Sequence, residues 1–158
     1  MQWTGSNDVR IIYDSDTDGV GHDTLAARLH ARKNVLVVAV ADTGDLLGGF
    51  VGVTMNAADD FVYDSRQFLF FAPRGAWRAV QRWVPTNVHG AFVQLPQQPP
   101  APLIVLGTHF HGELRVCGPR GESAFAGLGR GYQPLAARGV AFDERRFRCI
   151  RVVAVQCF

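Results

Sequence analysis

The segment Val35-Leu-Val-Val-Ala-Val-Ala41 constrains this chain most, because Asp42-Thr43-Gly44-Asp45 follows it at once and Leu46-Leu-Gly-Gly-Phe-Val-Gly52 comes next. β-Branched residues are stiff at χ1 and suit a pleated surface better than a helix. The Asp/Thr/Gly tetrad supplies turn chemistry, so the two runs predict a hairpin of central strands. Gly48, Gly49 and Gly52 in its second strand predict a bulge or the close approach of a ring or another backbone. No apolar run in the chain is longer than Val35 to Ala41, which falls far short of the ~20 residues that cross a bilayer as a helix. A transmembrane helix is therefore not expected.

The remaining segments repeat the pattern. Val9 to Tyr13 reads as a strand that runs into an Asp/Gly-rich loop, DSDTDGVGHD. Leu25 to Arg32, capped by Asp23 or Thr24, places Leu25, Ala26 and Leu29 on one side of a short amphipathic helix. Gln67 to Ala72 is an aromatic-rich strand, and Trp77 to Val84 predicts a further strand ended by Pro85. Gln94 to Pro102, with its prolines and glutamines, is a surface loop, and Leu103–Leu106 and Glu113–Val116 form another strand pair. In a last strand, Phe147 to Phe158, the odd positions form one mostly apolar face. Many short strands, one clear helix and no βαβ alternation predict a mostly β (α+β) fold. The architecture expected is a two-sheet antiparallel β-sandwich with one or two short peripheral helices, in a single domain spanning 1–158.

Composition agrees with a packed core: 47% of residues are hydrophobic and 19% charged, which excludes disorder of the whole chain. Cys117, Cys149 and Cys157 are odd in number and form no close C-x-x-C pair, against a disulfide framework or a structural zinc site. The first residues, MQWTGSND, lack the basic start and apolar stretch of a secretory signal, so a cytoplasmic location is expected, for a free or an excised domain. Charge is unevenly placed. Residues 1–64 carry ten acids and four bases, a balance of −6, and residues 65–158 carry four acids and twelve bases, a balance of +8. Packing the halves together allows internal complementarity, and a surplus of arginine allows a basic surface. Arg145 and Arg148 are the candidate contacts to an acidic protein partner. No aromatic-rich platform or recognition helix accompanies them, so nucleic acid is not expected as a partner.

Two constellations could hold a metal. Asp14-x-Asp16-x-Asp18-Gly19 matches the start of a calcium loop, but its twelfth position is Leu25 instead of a bidentate Glu and a strand precedes it, so only weak cation binding is expected. His109-x-His111-x-Glu113 puts three ligating side chains on one face of an extended segment, as in a cupin-like metal-dependent enzyme. Gly107 and Gly112 predict a turn there, against that reading. No G-x-S-x-G elbow, Walker loop or H-E-x-x-H occurs, the GLGRGY loop is not spaced as a dinucleotide fingerprint, and Cys117 has no assigned base. No cofactor is implied.

The order of these elements resembles the TLDc domain, particularly its divergent stand-alone forms in protists. IIYDSDTDG resembles the opening strand with its acidic DG loop, and Leu25 to Leu29 the short helix after it. VLVVAVADTGDLLGGFVG resembles the central hairpin, and DSRQFLFF the strand of the small-polar-x-x-Phe-Leu-Phe type, with Ser65, Phe68, Leu69 and Phe70 in register. FRCIRVVAVQCF is similar to the terminal strand. Arg66 and Gln67 stand where many members have an acid, so the family's charged contacts are not carried over. The resemblance implies a two-sheet β-sandwich acting as a non-enzymatic protein-interaction module. It also implies links to oxidation resistance and to the peripheral sector of V-type ATPases.

Overall fold

The computed structural model describes residues 4–56, 61–87, 90–98, 101–108, 111–118, 121–125, 131–134 and 145–158. Its strands are β1 (Val9–Asp14), β2 (Val35–Ala41), β3 (Leu46–Val51), β4 (Val62–Tyr63), β5 (Phe68–Ala72), β6 (Gln81–Pro85), β7 (Ala91–Gln94), β8 (Ile104–Thr108), β9 (His111–Val116), β10 (Glu122–Phe125), β11 (Tyr132–Pro134) and β12 (Arg145–Cys157). The helices are a single turn, α1 (Ser15–Asp18), and α2 (His22–Leu29). Among the described residues all strand pairs are antiparallel. One sheet runs β1-β12-β2-β3-β5-β6-β11 and the other β12-β10-β9-β8-β7-β4, which bears out the two-sheet β-sandwich.

The central hairpin forms as the sequence predicts. Val35 pairs with Val51 and Val40 with Leu46, and the turn closes through Gly44, whose φ of 87° lies in the left-handed region that favours glycine. Along β2 the odd residues are fully buried and the even residues half-buried. Val35, Val37, Ala39 and Ala41 thus enter the core between the sheets, which Leu69, Phe71, Trp83, Ile104, Leu106, Leu114, Phe125 and Phe147 fill from the other strands. Helix α2 adds Leu25 and Leu29 beside Tyr13.

The outward face of the first sheet is apolar too. One cross-strand row reads Ile11, Val155, Leu36, Phe50, Phe68, and the next Val153, Val38, Gly48, Phe70. Phe50, Phe68, Phe70 and Cys157 form a second buried cluster there, against Leu36, Val38, Leu46, Val80 and Val84. Every residue of β5 is consequently buried.

Strand β12 joins the sheets. Along one edge it pairs with β2, while its other edge serves β10 at Arg145–Arg148 and then β1 from Val153 to Cys157. An irregularity between Cys149 and Arg151 reverses the alternation. Phe147 and Cys149 face the core before it, and Val152 and Ala154 after it, so the expected single odd-numbered face is corrected to two half-faces of opposite parity. The gap between β10 and β1 is filled by α1: Ser15 Oγ accepts the buried Val152 N–H at 2.9 Å. The acidic stretch expected as a loop is this helical turn, with the Asp14 side chain accepting from Asp16 N–H at its start. The single strand expected from Trp77 to Val84 divides into a 3-10 turn at Trp77–Ala79 and β6.

Candidate functional site

Over the second cluster lies an open cleft of about 600 Å³. Phe50 of β3 and Phe68 of β5 stack beneath it, with ring centres 5.3 Å apart and planes 11° from parallel. The Arg82 guanidinium from β6 lies 5.0 Å over the Phe68 ring, where partial desolvation lowers its pKa. Arg66 stands on the other side, its Nη2 donating to Asn34 Oδ1 at 3.1 Å and to the Gly52 carbonyl. Thr4, Ser65, Thr86 and Gln133 supply polar groups around the opening. Among the described residues no acid, histidine or thiol lines the cleft. It therefore offers cationic and hydrogen-bonding groups above an aromatic pair, and no general base.

A buried polar network fixes the strands that carry this cleft. Gln67, the residue before β5, donates from Nε2 to Phe92 O of the opposite sheet at 2.7 Å and accepts the Tyr132 hydroxyl proton on Oε1. Burial pushes the Tyr132 phenol well above its ordinary pKa, and the carboxylates of Glu113 and Asp64 add to that shift. Asp64, fully buried, accepts the backbone N–H groups of Gly52 and Arg66. The network ties β5 and β11 of one sheet to β7 of the other, so the cleft floor is held by interior hydrogen bonds.

The sequence-predicted residues lie elsewhere. Asp14 receives Arg151 on both oxygens, with Nε to Oδ1 at 3.0 Å. This pairing holds its carboxyl below the usual carboxylate range. Asp16 Oδ2 lies 3.3 Å from Arg151 Nε, and Asp18 accepts the Asp14 backbone N–H and Arg28 Nη2 at 2.9 and 2.7 Å. The three carboxylates are engaged with arginine and backbone and anchor α1. Among the described residues no group of three His, Cys, Asp or Glu side chains is gathered to hold a metal ion.

His109 lies outside the described residues, and His111 is described only as the first residue of β9. Glu113 is buried, and its oxygens accept from Thr108 N–H and Oγ1 at 2.8 and 2.7 Å, closing the end of the β8–β9 hairpin. Gly131 packs so closely on this pair that a Cβ there would stand 1.7 Å from Thr108 Oγ1.

Of the C-terminal bases, Arg145 lies 4.5 Å over the Phe71 ring and 3.7 Å from Asp45, and Arg146 pairs with Glu122 at 3.0 Å. Arg148 is exposed. Pairs from Asp14, Asp16 and Asp45 to Arg151 and Arg145 show the two oppositely charged halves of the chain neutralising each other in part. Sequence reasoning gave Arg82 and Tyr132 no role, met Arg66 as a departure from a family pattern, and took Gln67 as such a departure and as the first residue of a strand. The available signal was a lone arginine at an outward position of the apolar strand Gln81–Pro85.

The fold and cleft together define an antiparallel β-sandwich with a cationic, aromatic-floored groove on one sheet. Compared with known proteins, the chain matches no family model and no curated sequence.

Proposed function

We propose that the protein is a non-enzymatic protein-interaction module that seats an acidic partner segment bearing an aromatic or large apolar residue in the cleft. One observation carries this reading: two arginines and a stacked phenylalanine pair share an opening with no acidic side chain lining it among the described residues. Such a lining favours a carboxylate next to an apolar group, because guanidinium and carboxylate form charge-assisted hydrogen bonds and the rings bury apolar area. A volume near 600 Å³ suits a few residues of an extended segment. The resemblance to TLDc domains extends the proposal to a cytoplasmic module linked to oxidation resistance and engaging the peripheral sector of a V-type ATPase.

The test is selection from a random peptide library on the wild type and on a Ser65→Glu/Gln133→Glu variant, two exposed positions at the cleft. The wild type is expected to enrich peptides with an acid beside an aromatic residue, and the variant to bind them at least about tenfold more weakly, a difference of ~1.4 kcal/mol. Enrichment without acids, or equal binding to the variant, would refute the assignment.

A further inference from the structure

Strand β1 lies at the edge of the first sheet, and among the described residues it pairs with β12 alone. The phase of that ladder decides what its other edge presents. Val9 lies opposite Cys157, and the Phe158 N–H donates to Asp8 O at 3.0 Å. In an antiparallel pair this makes Val9 a non-hydrogen-bonded position, so the backbone groups of Asp8 and Arg10 face β12 while those of Val9 and Ile11 face outward. The outward Val9 N–H is met only by the exposed side chain of the preceding residue, Asp8 Oδ1 at 2.8 Å. Three apolar residues at this edge, Val9, Ile11 and Phe158, are 61, 60 and 61% exposed. No lysine or proline blunts the strand, and between Val9 and Tyr13 its one charged side chain is Arg10. Its one irregularity falls between Ile11 and Tyr13, leaving Val9–Ile11 regular, and a bend at Asn7 precedes the strand.

We propose that this edge pairs antiparallel with β1 of a second copy of the chain, about a two-fold axis through Val9. The possible registers differ sharply in charge. Centring on Arg10 sets two like charges face to face, and centring on Ile11 runs the pairing into the irregularity. Centring on Val9 places Val9 opposite its own copy as a hydrogen-bonded pair and Ile11 opposite Asn7 of the second copy. It also sets Asp8 opposite Arg10 of the second copy, twice by symmetry. Asp8 then exchanges its local bond to the Val9 N–H for an ion pair across the axis, and the freed N–H bonds to the second copy. The sheet becomes continuous through both protomers, and Val9 and Cys157 of each copy form one apolar row across the axis. Pairing over so few residues makes a small interface of the transient class.

The test is sedimentation equilibrium of the untagged protein from micromolar to millimolar concentration, with Asp8→Arg, Arg10→Asp and the double variant alongside. The wild type is expected to show a monomer–dimer equilibrium. Each single charge reversal is expected to weaken it at least about tenfold, and the double reversal to restore it. Amide exchange provides a reading without any variant: Val9 and Ile11 are expected to exchange more slowly as wild-type concentration rises, with Arg10 unchanged. A wild type monomeric up to millimolar concentration overturns the proposal. So does a dimer indifferent to the single reversals, one not restored by the double reversal, or one that leaves the Val9 and Ile11 amides unprotected.

Discussion

If α1 is a plug in the edge of β12, removing one oxygen atom should loosen the junction between the sheets. Ser15 is 6% exposed, and its Oγ accepts the buried N–H of Val152 at 2.9 Å. Ser15→Ala leaves that amide without a partner at the point where β12 passes from one sheet to the other. A buried donor stripped of its acceptor costs about 1–3 kcal/mol, whereas an exposed hydrogen bond costs much less to lose. For a chain of this size 1 kcal/mol lowers the melting midpoint by roughly 2–4 °C, so the expected fall is about 2–12 °C. Thr17→Ala removes a hydroxyl that donates to Asp14 O at 3.2 Å in the same turn, and serves as the comparison. Its expected cost is below ~1 kcal/mol. Thermal unfolding followed by circular dichroism gives the midpoints, and amide exchange at Val152 should accelerate in Ser15→Ala alone. Equal midpoints for Ser15→Ala and the wild type, with Val152 exchange unchanged, would refute the plug.

Three further outcomes follow from the packing and the titrating groups. Gly48→Ala places a Cβ 2.1 Å from Val37 O and 2.6 Å from the Phe70 ring, so overpacking should cost about 1–3 kcal/mol or more in chemical denaturation; an unchanged midpoint contradicts that approach. The Asp14 carboxyl is lowered chiefly by its hydrogen bond from Arg151, so its contribution is present above the ordinary carboxylate pKa and is lost as pH falls through the lowered value. The stability gap between wild type and Asp14→Asn should therefore be open at neutral pH and close in acid, and a gap independent of pH would refute the pairing. Burial pushes the Cys149 thiol up to about 11, so in the folded protein at mildly alkaline pH it should label after the half-buried Cys117; equal rates would contradict its burial.

The fold was legible wherever the pattern is local. The β2–β3 hairpin follows from seven apolar residues, a turn tetrad and a glycine-bearing return strand, all within eighteen positions. In β5 the alternation sets Leu69 and Phe71 on one face and Phe68 and Phe70 on the other, yet both sets are buried, because the outer face of the sheet carries its own cluster. The last strand was misread past Cys149, since an irregularity that shifts the parity leaves no mark in a run of alternating apolar residues. Arg151 stands in sequence beside the other arginines of the last strand, yet it reaches back 137 positions to Asp14. The cleft was invisible for the same reason. Its side chains come from positions 4, 50, 65–68, 82, 84–86 and 133, and the strand order β3-β5-β6-β11 brings most of them together.

The reading of the protein as a binding module rests on that cleft, and nuclear magnetic resonance titration tests it most directly. An isotope-labelled sample would be titrated with a peptide carrying an aspartate beside a phenylalanine, and its backbone amide shifts followed. The expected shifts cluster at Ser65, Arg66, Phe68, Arg82, Thr86 and Gln133, and they saturate together with one affinity. Shifts centred instead on Arg148 and its exposed neighbours in β12, or no saturable shifts at all, would contradict the account.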